Sequence, residues 1–380
     1  MHITESFAQS GPEGQLPRKG SLSIQERNLD FLWLELTNRC NLRCKHCYLS
    51  AGPVGQEALD SALVHRAISE FSAMAGRSVS FSGGEPLLYR GWQELVSLAI
   101  ACGLETTVVT NGTLLNDRNA DTLVEAGARI ALSVDGCRAA THDLIRGEGS
   151  FCKVRAAMQR LAARSVQQNV IVCFTPTKPN IGELSPLARM LASEGFSQMY
   201  ISVLESRGRE TAHSDELRPD TGDQVRLLIQ LAALISDPQL GMHVDTGHLK
   251  YFFSRLFEGW DGLGDPIEGT LRVAPTGDVF LTAYVDNQQF RLGSLYDGGL
   301  QQCWFSERTN HLLAEASRRA LGTGACCECP YWIVCGGGSV ARAFSRAGSF
   351  AEPDEFCEAR IRFLDLWYQN PSETLTTHFQ

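Results

Sequence analysis

One stretch determines how this chain of 380 residues is organised, and it reads Leu34-Glu35-Leu36-Thr37-Asn38-Arg39-Cys40-Asn41-Leu42-Arg43-Cys44-Lys45-His46-Cys47-Tyr48. The apolar residues 31–36 predict a short buried strand, and three cysteines follow it at the spacing C-x3-C-x2-C. Three thiolates on one loop can bind three irons of a cubane iron–sulfur cluster and leave the fourth iron without a protein ligand. That iron can bind a small molecule and pass it an electron. The alternative is a zinc site or a set of buried thiols, but structural zinc usually takes four ligands in C-x2-C pairs, and no second pair lies nearby.

The length and charge of the chain limit its domain number and its partners. A chain of 380 residues predicts two or three domains, and a hydrophobic content of 43% is normal for a soluble globular protein. The net charge of −9 argues against nucleic acid or an anionic membrane as the main partner, because both require a basic face. No apolar run approaches ~18 residues, so no membrane-spanning helix is predicted.

The thirteen cysteines indicate metal binding rather than disulfides. Disulfide frameworks are typical of small secreted chains, whereas residues 1–28 of this large chain are polar and contain no apolar signal core. We therefore predict a cytoplasmic protein whose residues 1–28 form a disordered lead-in.

Between residues 31 and 203, six predicted strands alternate with predicted helices, which is the pattern of a parallel sheet with crossover helices. The strands are predicted at 31–36, 78–82, 105–110, 129–134, 169–174 and 198–203. Because the alternation stops two units short of a closed eight-fold barrel, the predicted fold class is α/β, an open partial (β/α)6 TIM barrel. Sites in such sheets lie at the carboxyl ends of the strands.

The chain after the barrel divides into further segments. The barrel is predicted over residues 29–210, and a helical bridge without an evident chemical role over 211–268. A small cysteine-rich iron–sulfur domain, beginning with two strands around a turn, is predicted over 269–365, and a tail over 366–380.

A second motif, Gly83-Gly84-Glu85-Pro86, stands at the end of the second predicted strand. Together with the C-x3-C-x2-C loop one strand earlier, it resembles the radical SAM superfamily. The resemblance implies that the open iron of a [4Fe–4S] cluster on Cys40, Cys44 and Cys47 holds S-adenosylmethionine. Reduction then releases a 5′-deoxyadenosyl radical that abstracts hydrogen.

The same resemblance implies a cofactor-binding role for polar residues at the strand ends. Gly83, Gly84 and Glu85 would bind the methionyl amino group, and Arg146 would bind the methionyl carboxylate. Hydrogen bonds to the nucleoside would come from Asn111, Ser133 and Asp135. For each of these residues the alternative is ordinary capping of a loop.

A second group of cysteines lies near the end of the chain. Cys326, Cys329, Cys335 and Cys357 have the spacing C-x2-C-x5-C-x21-C, which can complete a second cluster, with a zinc knuckle as the alternative. Cys327 competes with Cys326 as the first ligand. The segment resembles the SPASM and twitch extensions of radical SAM maturases and implies one auxiliary [4Fe–4S] cluster.

The chain departs from the full SPASM pattern of seven cysteines. Ser339 stands where the run would place its last cysteine, and no cysteine occurs between Cys173 and Cys303, so the pair expected around Gly293 is missing. The cysteines present match the distal auxiliary cluster. We therefore predict one auxiliary cluster and treat Cys303 as a spare thiol.

The resemblance favours a peptide maturase, which cross-links, oxidises or epimerises a ribosomally made peptide or protein. The alternatives are an enzyme acting on a small molecule (a sugar, an alcohol or a tetrapyrrole) and a non-catalytic iron or zinc protein. Expected partners are the substrate, a reductant such as flavodoxin or ferredoxin, and a separate leader-recognition protein. Three further cysteines could donate a hydrogen atom, although core packing is the favoured role for each: Cys137, Cys152 and Cys173.

Overall fold

A computed structural model describes residues 29–259, 269–282, 288–319 and 324–371. The strands are β1 (Phe31–Glu35), β2 (Ser78–Ser82), β3 (Glu105–Thr110), β4 (Arg129–Ser133), β5 (Val170–Phe174), β6 (Gln198–Ile201), β7 (His243–Asp245), β8 (Thr270–Val273), β9 (Asp278–Leu281) and β10 (Arg291–Ser294). The helices are α1 (Ser61–Ala73), α2 (Trp92–Ala101), α3 (Asp117–Ala126), α4 (Ala139–Arg146), α5 (Ser150–Ala163), α6 (Leu184–Ser193), α7 (Ser214–Leu217), α8 (Thr221–Ile235), α9 (Lys250–Glu258), α10 (Gly299–Trp304), α11 (Glu307–Arg319), α12 (Trp332–Cys335), α13 (Val340–Ala347) and α14 (Cys357–Gln369).

All the strands belong to one sheet with the order β10-β9-β8-β1-β2-β3-β4-β5-β6-β7. Strands β1 to β6 run parallel and are neighbours in chain order, as six successive βα units require. The α/β class and the six predicted barrel strands are therefore confirmed, with bounds that differ from the prediction by at most two residues at an end.

The core lies between the sheet and the helices that cover it. Leu32 and Leu34 of β1 lie beside Val79 and Phe81 of β2 in register, and all four side chains are buried. Residues two apart on a strand face the same side, so these side chains form rows against the helices. Helix α1 contributes a matching apolar stripe with the spacing of an amphipathic helix, namely Val64, Ala67, Ile68 and Phe71.

The sheet continues beyond the predicted barrel at both edges. Strand β7 lies in the segment predicted as a helical bridge and pairs with β6, while β8 pairs in parallel with β1. The predicted boundary at residue 269 therefore falls within one continuous sheet rather than between two sheets. Strands β8 and β9 form the predicted antiparallel pair, and β10 extends it.

The last predicted boundary also differs from the structure. Helix α14 runs through residues 365 and 366 and packs on α8, so the predicted tail begins inside a helix. The predicted lead-in, 1–28, lies outside the described residues. Within the described ranges, no helix is long and apolar enough to cross a membrane.

A buried ion pair connects the first strand to the C-terminal segment. Arg272 of β8 donates through Nη1 to Oε2 of Glu35 on β1 at 3.0 Å, and Tyr48 donates its hydroxyl to Oε1 of Glu35 at 2.8 Å. Both charged side chains are almost wholly buried, and the guanidinium lies over the ring of Phe280 at 4.3 Å. Burying one of these charges without the other is costly, so the pair constrains how β8 joins β1.

We expect Arg272→Met to lower the free energy of unfolding by about 3–5 kcal/mol, because it leaves the Glu35 carboxylate buried without its cation. The matched control is Arg291→Met on β10, which removes a partly exposed ion pair with Asp278 and should cost about 0–1 kcal/mol. Urea unfolding of both variants measures the difference. Equal losses in the free energy of unfolding would show that the buried pair contributes no more to stability than the partly exposed pair.

Candidate active site

The three cysteines of the first motif lie on the loop after β1. Cys40 and Cys44 are buried and Cys47 is partly exposed, and each thiol lies within electrostatic range of the other two. Backbone N–H groups point at two of the sulfurs, from Leu42 to Cys40 Sγ at 3.4 Å and from Ala51 to Cys47 Sγ at 3.3 Å. Such N–H donors stabilise thiolates that bind iron.

Burial raises the pKa of Cys40 to about 11 and the pKa of Cys44 to about 12. Burial thus favours the protonated thiols, and binding of a metal cation would favour the thiolates.

The cysteine loop packs directly against Gly83 and Gly84 at the end of β2. Gly84 N donates to Thr37 O at 2.6 Å, and Glu85 N donates to Arg39 O at 2.9 Å. A Cβ atom on Gly83 would lie under 3.0 Å from Thr37 O, and one on Gly84 would lie under 3.0 Å from Arg39 O. In the structure these glycines make room for the backbone of the cysteine loop, and their contact with the methionyl amino group stays a prediction.

Arg209 holds the cysteine loop from the other side. Its guanidinium donates from Nη1 to Cys44 O at 2.8 Å and from Nη2 to Ala51 O at 2.6 Å, and its backbone N–H donates to Cys47 O at 2.9 Å. Sequence reasoning missed this residue. It lies more than 150 residues from the loop that it contacts, and no local pattern marks it.

Glu85 is fully buried and accepts three hydrogen bonds from the protein. Thr110 Oγ1 donates to Oε1 at 2.8 Å, Asn111 N donates to Oε2 at 2.9 Å, and Leu87 N donates to Oε1 at 3.3 Å. Burial raises the pKa of Glu85 to about 7, although these hydrogen bonds oppose the rise. Since a carboxylate has about four acceptor positions, roughly one remains for a further donor.

Asp135 and Arg146 form a second buried pair. Arg146 Nε donates to Asp135 Oδ2 at 2.5 Å, and Thr175 N donates to Asp135 Oδ1 at 2.8 Å. His46 Nε2, in the cysteine loop, lies 3.4 Å from the same Oδ2. Burial alone would raise the pKa of Asp135, but Arg146 and the neighbouring histidines hold it below its usual value. Both carboxylate oxygens of Asp135 thus accept hydrogen bonds from the protein, and the bond from Arg146 Nε orients the guanidinium.

Arg146 reaches the cysteine loop because α4, a helix that the sequence did not predict, ends there. Lys45 N donates to Ile145 O at 2.8 Å, and Cys44 Sγ lies 3.8 Å from Arg146 O.

The two remaining predicted residues lie at the ends of β3 and β4. Asn111 is buried and donates through Nδ2 to Asn41 Oδ1 at 3.0 Å, with Cys40 Sγ at 3.7 Å from the same nitrogen. Ser133 is partly exposed and pairs in register with Cys173 of β5. The carboxyl ends of β1 to β4 therefore bring together the three cysteines and six of the predicted residues, Gly83, Gly84, Glu85, Asn111, Asp135 and Arg146.

The four cysteines of the second group line one cavity of about 320 Å³. The lining is otherwise largely apolar and includes Trp332. Cys327 does not line this cavity: its side chain is exposed and its Sγ donates to Gly324 O at 2.9 Å. Cys326, which is buried, is therefore the better first member of the group.

The geometry of both groups bears on the zinc alternative. Within the described residues, no three histidine, cysteine or acidic side chains are close enough together to hold a single metal ion. A zinc site needs four ligands at about 2.0–2.3 Å from one ion, whereas a cluster binds each thiolate at a different iron.

Ser339, at the position of the missing cysteine, has a structural role. Its side chain caps the start of α13 by accepting from Arg342 N at 3.4 Å, and its own N–H donates to Asp354 Oδ2 at 2.7 Å. Cys303 is buried against Gly293, where an added Cβ would lie 2.9 Å from Cys303 Sγ.

These features define an α/β protein with a cysteine loop at the carboxyl edge of a parallel sheet. A sequence model of the Radical SAM superfamily matches residues 34–191. Mycofactocin maturase MftC of Mycobacterium tuberculosis is 31% identical over 341 residues, which cover 87% of this chain and 84% of the relative. The chain belongs to the radical SAM superfamily.

Two further comparisons extend the similarity. Pre-heme d1 synthase of Dinoroseobacter shibae is 28% identical over 353 residues, which cover 86% of this chain and 85% of the relative. The solved structure of native anSMEcpe with bound AdoMet and Cp18Cys peptide has the same fold, with a TM-score of 0.70, 18% identity and coverage of 92% of this chain and 99% of that chain. The predicted superfamily and enzyme class are therefore confirmed, and with them S-adenosylmethionine and a [4Fe–4S] cluster as cofactors.

We expect Gly84→Ala to displace the cysteine loop, because its Cβ would meet the backbone of Arg39. After anaerobic reconstitution, the first cysteine group of this variant should hold much less iron than that of the unchanged chain. Gly182→Ala is the matched control, since an added Cβ there has no atom within 4 Å. Iron analysis that finds equal occupancy in both variants would contradict the proposed role of the close backbone contact.

Proposed function

We propose that this radical SAM enzyme modifies a ribosomally made peptide or protein by cross-linking, oxidation or epimerisation. The observation that carries the proposal is the similarity to mycofactocin maturase MftC, which extends over most of both chains. The shared fold with anSMEcpe, a protein solved with a bound peptide, is consistent with it.

The first cysteine group is proposed to hold the active-site cluster on Cys40, Cys44 and Cys47. When bound, this cluster supplies the electron that cleaves S-adenosylmethionine and yields the 5′-deoxyadenosyl radical. Backbone N–H donors to two of the sulfurs and the contacts of Arg209 with the loop carbonyls hold the loop, so binding has less of it to order.

Residues near the carboxyl ends of the strands are proposed to position S-adenosylmethionine. Arg146, oriented by Asp135, is placed to bind the methionyl carboxylate, while the acceptor position left on Glu85 suits the ammonium. Asn111, Ser133 and the backbone at Gly83 and Gly84 are the remaining candidates for contacts with the cofactor.

The second group is proposed to hold one auxiliary [4Fe–4S] cluster on Cys326, Cys329, Cys335 and Cys357. The shared cavity and the outward position of Cys327 support this set of ligands.

A tetrapyrrole substrate is the second candidate. The similarity to pre-heme d1 synthase, which also covers most of both chains, favours it over a sugar or an alcohol. A reductant such as flavodoxin or ferredoxin, a separate leader-recognition protein and a cytoplasmic location remain predictions from the sequence.

We expect about eight irons per anaerobically reconstituted chain, counting roughly four per cluster. Cys44→Ala should abolish 5′-deoxyadenosine formation and keep about four irons, because its loss leaves the second group intact. Cys357→Ala should disturb only the second group and reduce turnover more than S-adenosylmethionine binding. Iron analysis and chromatography of the nucleoside measure both; about twelve irons, or zinc at the second group, would refute the account.

We expect a mass change in a peptide substrate that depends on S-adenosylmethionine, reductant and Cys44. The test is anaerobic incubation with peptides encoded by short reading frames beside the gene, followed by mass spectrometry, with Cys44→Ala as the control. A porphyrin that changes mass under the same conditions, while every peptide stays unmodified, would favour the second candidate.

A further inference from the structure

Arg360 is a buried cation that contacts one of the proposed auxiliary ligands. Its Nε–H donates to Cys335 Sγ at 3.2 Å, and its side chain is about 1% exposed. Arg360 lies three residues after Cys357 on α14, so the two side chains share one face of the helix. One helix thus supplies a proposed ligand and a cation directed at another ligand.

The guanidinium of Arg360 is fixed by the carboxylate of Asp354. Arg360 Nη2 donates to Asp354 Oδ1 at 2.5 Å, and Nη1 donates to Oδ2 at 3.2 Å, which is the two-pronged geometry of a strong pair. Asp354 is itself held by the N–H groups of Ser339 at 2.7 Å and Phe356 at 3.0 Å. A Cβ on Gly338 would lie under 3.0 Å from both members of the pair, so the glycine run makes room for them.

This arrangement leaves the third edge of the guanidinium for the sulfur. Both carboxylate oxygens engage the terminal nitrogens, and the Nε–H is directed at Cys335. Both members of the pair are almost wholly buried, so the carboxylate offsets the cost of burying the guanidinium.

We infer that Arg360 is a positioning residue that raises the reduction potential of the auxiliary cluster through its hydrogen bond to Cys335. The inference rests on the proposed four-cysteine site. One-electron reduction adds one negative charge, which is shared with the thiolates. A charged N–H donor stabilises the reduced form more than the oxidised form, most strongly where water is excluded.

The test uses the full chain carrying Cys44→Ala, so that only the auxiliary cluster is present. After anaerobic reconstitution, the iron content shows whether the auxiliary cluster is bound. A redox titration followed by electron paramagnetic resonance then gives its reduction potential. Arg360→Gln should shift the reduction equilibrium at least tenfold toward the oxidised form, which is about 59 mV for a one-electron couple. Arg360→Lys, which keeps the charge without the two-pronged fork, should give a smaller shift in the same direction.

The matched control is Arg362→Gln on the same helix, where an exposed arginine pairs with Glu358. It removes the same charge without a sulfur contact and should leave the potential unchanged. Arg360→Gln with about four irons and an unchanged potential would overturn the inference while leaving the site in place. Loss of the cluster from both Arg360 variants would show that the residue is purely structural, and this result would also overturn the inference. A Cys44→Ala chain without iron would instead refute the auxiliary site itself, and the inference with it.

Discussion

The close contact between two backbone segments underlies the whole active site. The cysteine loop after β1 and the Gly83-Gly84-Glu85 turn after β2 hydrogen-bond through their main chains, with no space between them for a side chain. Because each segment begins where a strand ends, the parallel pairing of β1 and β2 sets their relative position. The sheet therefore places the thiols before any metal binds, and metal binding requires little further ordering.

A buried ion pair orients an arginine at each of the two proposed cofactor sites. Asp135 orients Arg146 at the proposed cofactor site, and Asp354 orients Arg360 beside the second cysteine group. In each case an acidic residue without a proposed contact to the cluster accepts a hydrogen bond from the arginine, Asp135 through Oδ2 alone and Asp354 through both oxygens. An isolated buried arginine would be costly, and the partner carboxylate offsets that cost and fixes the direction of the side chain.

Local sequence patterns predicted the six barrel strands and both cysteine groups, because strand alternation and cysteine spacing are short-range signals. Helix α4 was missed, since its residues follow a strand without a clear apolar period, although Arg146 at its end was singled out by its motif. Strand β7 has three residues, too few to show alternation. Contacts between residues far apart in the sequence, such as those of Arg209 with the cysteine loop and of Arg272 with Glu35, leave no local pattern. The choice between Cys326 and Cys327 likewise required knowing which of them lines the cavity, because adjacent cysteines have nearly the same spacing to the other ligands.

The pairing of β8 with β1 affects the order in which the chain can mature during synthesis. Arg272 and Glu35 are separated by 237 residues, so β1 keeps one open edge until nearly three-quarters of the chain has been made. At about 5–20 residues per second, the ribosome needs on the order of ten to fifty seconds to supply the missing neighbour. During that interval the strand that leads into the cysteine loop exposes unpaired N–H and C=O groups, which invite pairing with other chains. A nascent chain stalled before residue 270 would therefore keep this edge of β1 unpaired.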